Sequence, residues 1–422
     1  MISKWRWLFE QLTGQLWLRA TLFGLAGVAT ALVGIMAENF VPAEVGDLIG
    51  SDAVGTLLNV LATSMLAVTT FSLGVMISSY TAATSNVTPR ATRLLRRDTT
   101  SQNVLSTFIG SFLFSLVGII TLTVEGYGER GRLVLFVATI VVIALVVVAI
   151  LRWIEHVNGL GRVNETTSLV EEVTLKALRA RSAAPHLGGR PLLDPSLQVP
   201  ASALRVHPLE TGYIQHVDAA ALQAWADRHE ASIYLNVLPG HLVHPGTPLG
   251  WLDGAQDLGI AEREAALRRS ITVGDQRTFE QDPRFGLLVL GEVASRALSP
   301  GVNDSGTAID VIGRQLRVLL DWAKPDEAAA DETACPRLYV PQLADADLFD
   351  DAFGMVMRDG AGRIEVQVRL QKVLSALASA GEESFRLAAR HQGRLALAHA
   401  EMALDFEPDR DRLRKAAAWV EP

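Results

Sequence analysis

Of the residue types that do chemistry, the nine histidines come first. The closest pair, His241 and His244, sits in a Pro/Gly-rich turn rather than at i and i+4 of a helix. No His-Glu-x-x-His, phosphate-loop Gly-Lys-Ser/Thr or Gly-x-Ser-x-Gly occurs. No nucleophile stands beside a base, so no catalytic residue, cofactor or metal-ligand set is expected, and the chain reads as a non-enzyme. Four carboxylates, Glu280, Asp282, Asp304 and Asp310, are near enough in sequence to gather around a cation. Asp-Pro and Asn-Asp at turns serve equally as helix caps, because their side chains accept from free amides at helix starts. Arg90, Arg93, Arg96 and Arg97 follow Thr88-Pro89, a suitable N-cap and first helical residue. These arginines would fix topology and hold anionic lipid head groups, or form an electrostatic ring at the mouth of a pore.

The most informative pattern lies within an apolar run, LLNVLATSMLAVTTFSLGVMISS, residues 57–79. At about 100° per residue, Asn59, Thr63, Ala67, Thr70, Gly74, Ser78 and Thr81, together with Thr56, fall in one sector of about 100°. Insertion into a bilayer does not require such a stripe. It would let helices approach closely, with hydroxyls bonded back to their own helix or to a neighbour. Alternatively it would line a water-filled path formed by several copies around an axis. The run holds no ionisable residue, which argues against a proton relay or a voltage sensor.

The elements that must position these residues are apolar helices. A mean hydropathy of +0.24 is high for a soluble chain of 422 residues. The excess is concentrated in four runs, 17–36, 57–79, 103–124 and 133–151, each near the roughly 20 residues that a helix needs to cross a bilayer. The first begins after Lys4 and Arg6 and has no small-residue cleavage site, so it is expected to be retained. Basic residues mark its start and the second connection, whereas 37–56 has no Lys or Arg. That asymmetry predicts an inner-membrane protein with both termini cytoplasmic. Residues 1–151 hold nine Lys and Arg against eight Asp and Glu, and the remainder holds 29 against 38. An acidic cytoplasmic part argues against nucleic acid as a partner. A single cysteine, Cys335, rules out an internal disulfide framework and fits a reducing compartment.

Beyond the runs, 151–178 reads as a helix leaving the membrane and 179–196 as a linker. Short strand-like pieces at 212–217, 232–237 and 248–252 flank a helix capped by Asp218. The segment PGHLVHPGTPLGWL, 239–252, has the turn spacing of small barrels that carry biotinyl or lipoyl groups, but lacks their lysine. Residues 256–323 read as helices, with SPGVNDS as the turn between 285–298 and 306–322. AFGMVMRDGAGRIEVQVRL, 352–370, reads as a β-hairpin around a Gly-rich turn, and helices at 373–403 and 408–419 finish the chain. The predicted organisation is a four-helix transmembrane domain over 1–155, a connecting helix and linker over 156–196, a small β-rich, barrel-like subdomain over 197–255, and an α+β cytoplasmic domain over 256–422.

Several of these stretches carry a resemblance. Asp282-Pro283-Arg284-Phe285-Gly286, followed by Arg296-Ala297-Leu298-Ser299-Pro300-Gly301-Val302-Asn303-Asp304-Ser305-Gly306-Thr307-Ala308, is similar to the pattern of a bacterial predicted-membrane-protein family, domain of unknown function 2254. TGYIQHVD, 211–218, and the Pro-Gly-x-x-Val-x-x-Gly-x-x-Leu element from Pro239 extend the likeness over most of the chain. Ser305 stands where the family usually has proline, which loosens that turn. The resemblance implies N-terminal spans and a soluble C-terminal region, and it implies no mechanism. The residues themselves favour a homo-oligomeric ion channel whose partners are the bilayer, copies of itself and inorganic ions. The other expectation is a membrane-anchored sensor or scaffold that binds a ligand near Asp282, Pro283, Ser299, Pro300, Asn303 and Asp304.

Overall fold

A computed structural model of the chain describes residues 16–36, 51–95, 98–124, 129–157, 159, 161–324 and 333–420. The chain separates into two compact units, one over 8–166 and one formed chiefly by 167–422.

The N-terminal unit is built from α1 (Leu16–Met36), α2 (Ser51–Asn86), the short α3 (Thr92–Leu95), α4 (Thr99–Thr123) and α5 (Glu129–Val157). Among the described residues, three stretches are long and apolar enough to cross a membrane: Ala53–Ala82, Thr92–Thr123 and Gly131–Val157. The apolar stretch of α1, Trp17–Val33, is shorter. α4 is the central helix, and it packs against α1, α2 and α5. Its buried face is rich in small residues, including Ser106, Gly110, Ser111, Ser115 and Gly118, so neighbouring backbones can approach closely. A Cβ on Gly27 of α1 would stand on the Gly110 carbonyl oxygen, and the Phe23 carbonyl oxygen would lie 2.8 Å from a Cβ on Gly110.

Two apolar layers fill the bundle. Ala31, Val54, Leu58, Phe114 and Leu135 meet in one, and Leu61, Met65, Phe108, Val146 and Trp153 in the other. Polar links mark the opposite end from Ala31. Arg19 donates to Asn103 at 2.7 Å, the Tyr80 hydroxyl donates to the Leu95 carbonyl at 3.2 Å, and His156 Nε2 lies 2.5 Å from Asp98 Oδ2. These links place the start of α1, the end of α2, the start of α4 and the end of α5 together, so α1 runs parallel to α4 while α2 and α5 run the other way.

The continuous helix expected over 151–178 is interrupted. α5 stops at Val157 and α6 (Val163–Ser182) begins afresh. Gly161 adopts φ +80 with the Ser79 carbonyl oxygen 2.8 Å from where its Cβ would be, a position that only glycine occupies without strain.

In the C-terminal unit β1 (Arg190–Pro191) lies within the expected linker, and the single turn α7 (Pro195–Gln198) begins at its end. Then follow β2 (Leu204–Val206), β3 (Gly212–Val217), α8 (Ala219–Arg228), β4 (Ser232–Leu235), β5 (Leu242–Val243), β6 (Gly250–Asp253), α9 (Ile260–Ser270) and β7 (Ile271–Gly274). Asp218 caps α8 as the sequence predicts, accepting from Ala221 N at 3.0 Å.

The barrel expectation is corrected, because among the described residues the strands form two open sheets. One has the order β1-β8-β4-β6-β2, where β8 (Leu338–Val340) pairs parallel to both β1 and β4; the other is β5-β3-β7. The barrel-like segment 239–252 therefore contributes β5 to one sheet and β6 to the other. Apolar side chains of both sheets, among them Ile214, Val217, Ile233, Leu235 and Leu252, share one core with Leu222 and Ala226 of α8.

The remaining helices are α10 (Pro283–Ala297), α11 (Ser305–Trp322), α12 (Asp345–Asp359), α13 (Ile364–Leu377), α14 (Glu383–Ala403) and α15 (Glu407–Ala417). The hairpin expected over 352–370 is instead α12 and α13 joined at Gly360–Gly362. Val356, Ile364, Val366 and Val368 favour strands locally. However, Phe349, Phe353, Val356 and Met357 bury one helical face, and the ring centroids of Phe349 and Phe385 are 4.9 Å apart. Tertiary burial therefore decides the conformation. Buried glutamines strap these helices together: Gln315 donates to the Ala352 carbonyl at 2.6 Å and Gln371 to that of Gly393 at 2.9 Å.

Candidate functional site

The small and polar positions of α2 lie where the sequence places them. Asn59, Thr63, Ala67, Thr70, Gly74, Ser78 and Thr81 are all exposed. Most buried positions of the same helix, Val54, Leu58, Leu61, Met65, Ser72 and Met76, lie on the opposite side, about 180° around the axis at 100° per residue. α2 therefore turns its bulky face to α4 and leaves its small face without cover from its own chain. Nothing lies within 4 Å of where a Cβ on Gly74 would be.

Three threonines of the stripe donate to their own helix, Thr63 to the Asn59 carbonyl at 2.9 Å, Thr70 to that of Leu66 at 2.9 Å and Thr81 to that of Ile77 at 3.0 Å. Each hydroxyl oxygen keeps its lone pairs available as an acceptor on the open face. Exposed Val60 and Phe71 border the stripe on one side and Leu66 and Leu73 on the other. The arrangement is a mostly small and polar strip, interrupted by exposed Ile77, between two apolar margins.

Below α2, Thr88 accepts from Ala91 N at 3.2 Å and so caps the turn leading into α3. Arg90 is exposed and Arg93 half-buried; Arg96 and Arg97 lie outside the described residues. One partnership here is invisible to sequence reasoning. Asp98 caps α4 through Thr100 N and Ser101 N, both at 3.0 Å, while also holding His156 from the end of α5. The only hint in the sequence is an Asp directly before Thr-Thr-Ser.

The motif carboxylates of the C-terminal unit do not gather. Asp282 begins α10, accepting from Phe285 N at 3.1 Å. Asp304 lies beyond the other end of α10 and begins α11, accepting from Thr307 N at 3.0 Å. At about 1.5 Å per residue the helix between them spans roughly 22 Å, which excludes a joint cation site. Asp310 pairs with Arg314 at 2.7 Å. Among the described residues no three His, Cys, Asp or Glu side chains are placed to hold a metal ion. Asp282 thus stands at the opposite end of α10 from Asn303 and Asp304.

Both carboxylates are caps, in different surroundings. Asp304 is exposed, and the Thr307 hydroxyl that donates to it holds its carboxyl below the usual range. Asn303 takes φ +55, and its amide donates to the Ser299 carbonyl at 2.9 Å, closing the exposed turn around Pro300. Asp282 is buried and is forked by Arg277 at 2.7 and 2.9 Å. The Arg277 guanidinium also lies 5.2 Å from the centre of the Phe285 ring. Gly240, at φ +94, packs so closely on the Asp282 carboxylate that a Cβ would coincide with it. Pro283 occupies the first turn of α10, and Gly286 leaves room for Thr174 of α6.

The two glycine-containing motifs of the C-terminal region thus meet at one carboxylate. The model of the family described as predicted membrane protein (DUF2254) matches residues 13–376. The chain belongs to this family. DUF2254 relatives include uncharacterised proteins of two Mycobacterium tuberculosis strains and one of Mycobacterium bovis. Each is 28% identical over 440 residues, covering 99% of this chain and 82% of the relative. No solved structure matches. The DUF2254 assignment, together with the apolar helices, makes this a membrane protein.

Proposed function

We propose that the protein is a homo-oligomeric ion channel of the bacterial inner membrane, with the small face of α2 turned toward a shared axis. One observation carries this reading: the stripe is exposed and lies opposite the face that α2 buries against its own chain. In lipid an uncovered Asn59 amide and a row of hydroxyl oxygens would face hydrocarbon, which is unfavourable. Around an axis they would meet water and ions, with hydroxyls replacing part of an ion's hydration shell. The apolar margins would then pack on neighbouring copies.

α1 makes a fourth crossing in this arrangement. Its 21 residues reach about 31 Å, the thickness of a hydrocarbon core, and it runs alongside α4. The basic residues at the shared end of the bundle favour the cytoplasmic side for that end, and the acidic C-terminal unit would then be cytoplasmic. An acidic cytoplasmic domain would concentrate cations on that side of the membrane.

The test is ion flux into liposomes containing the purified protein, with and without Thr70→Leu. The wild type is expected to conduct and the variant to block; a silent wild type overturns the proposal. A second reading, a ligand-binding role for the C-terminal unit, is favoured by a separate cleft beside Arg181.

A further inference from the structure

That cleft, about 490 Å³, is bounded by the ends of α6 and α11 and the start of α14. Arg181, Ser182, Trp322, Lys324, Ser384 and Phe385 line it. Arg181 is 6% exposed. A guanidinium carries five N–H donors, yet among the described residues Arg181 makes one hydrogen bond, 3.4 Å to the Gln281 carbonyl. The anion whose field reaches it is Asp282, which Arg277 already forks. One carboxylate therefore serves two guanidiniums, that of Arg181 buried and that of Arg277 17% exposed.

Two carboxylates, Asp345 and Glu382, also line the cleft, and neither is the hydrogen-bond partner of Arg181. Asp345 accepts from the Trp322 indole N–H at 2.9 Å and from the Ser384 hydroxyl at 2.6 Å. Lys324, on the rim, pairs with Asp321 at 2.9 Å. Burial pulls the Arg181 guanidinium down to about 10, the sign of a cation held where it is poorly solvated. Burying a charge with most of its donors unmatched is costly, and an oxyanion in the cleft would relieve that cost through a charge-assisted fork.

We propose that this cleft binds a small molecule bearing a phosphate or carboxylate, its oxyanion on Arg181 and its apolar body against Trp322 and Phe385. The volume lies within the range of small-molecule sites, roughly 300–1,000 Å³. The site belongs to the C-terminal unit alone and stands whether or not the membrane unit conducts.

Isothermal titration of the full chain in detergent, with phenyl phosphate, benzoate and inorganic phosphate as probes, tests it. Phenyl phosphate or benzoate is expected to bind saturably with Kd below about 1 mM, and inorganic phosphate more weakly; the tighter of the first two identifies the oxyanion class. Arg181→Met is expected to weaken binding at least tenfold while the probe-free Tm stays level or rises, since an uncompensated buried charge has been removed. Ser182→Trp, which fills the cleft from its rim, gives the same loss of binding should Arg181→Met fail to fold. No probe binding below about 1 mM in the wild type, or unchanged affinity in the folded variants, overturns the proposal.

Discussion

Replacing Asp282 separates the two jobs that its carboxylate performs. Asp282→Ala removes the cap on Phe285 N, worth about 1 kcal/mol. It also strips Arg277 of a forked partner. The Arg277 side chain is 17% exposed and that of Asp282 2%, so solvent relieves the abandoned guanidinium only in part. Breaking a buried pair from one side costs about 3–5 kcal/mol, and partial hydration points to the lower end, about 3. The sum is about 4 kcal/mol, or about 8–16 °C in Tm at the 2–4 °C per kcal/mol of a domain this size. Asp282→Asn keeps an acceptor for Phe285 N and gives up the charge, so it should lose about 3 kcal/mol. Adding Arg277→Met to Asp282→Asn removes the directly paired of the two cations that lose their anion, Arg277 and Arg181, and should restore part of that loss.

Near-ultraviolet circular dichroism of the full chain in detergent during heating reads all three variants. A Tm loss below about 3 °C for Asp282→Ala, where at least about 8 °C is expected, would refute this account of the carboxylate. So would a double variant no more stable than Asp282→Asn alone.

Other consequences can be checked separately. Thr70→Cys should form disulfide-linked dimers in membranes under oxidation while Leu61→Cys should not, because only the first lies on the uncovered face; equal cross-linking would show that the α2 face does not meet its copy. Gly27→Leu should cost at least about 3 kcal/mol by driving a side chain into the Gly110 carbonyl, seen as rapid proteolysis of the membrane unit, and wild-type resistance would show that α1 and α4 are not in close contact. Burial, with Arg284 and Arg277 nearby and only partly offset by Asp282 and Asp347, holds His241 below its ordinary value. The unfolded chain therefore binds the extra proton first. This contribution to stability is complete above about pH 6.5 and is lost as pH falls toward the lower folded value. His241→Gln should flatten the acid side of the Tm profile, and an unchanged slope would place the responsible group elsewhere.

What could be foreseen in the sequence was local chemistry. The apolar windows, the stripe on α2 and the caps at Asp218, Asp282 and Asp304 follow from periodicity and from side chains that reach amides two or three residues away. The misread pieces were decided by distant partners. The turn spacing from Pro239 to Leu252 fits a barrel, but β6 pairs with β4 and β2 while β5 pairs with β3, and β8, more than 80 residues later, extends the first sheet. The β-branched residues of 352–370 look strand-like until Phe385 and the other helices claim one face. The break at Gly161 was signalled by Asn158-Gly159-Leu160-Gly161 but outweighed by the apolar pattern on either side. The Arg181 cleft had no signal at all, because a lone arginine near a helix end is usually solvated.

The position of β8 also orders events in time. β4 pairs with β6 on one edge, but its other edge stays open until Leu338–Val340 arrives, and β1 pairs with nothing else in its sheet. A chain still being synthesised carries that unpaired edge beside a membrane into which its first helices are already released. Open edges recruit other strands. A chain stopped short of residue 338 is thus expected to be captured or aggregated rather than to persist as a shorter soluble unit, and the late strand acts as the closing stitch of the domain.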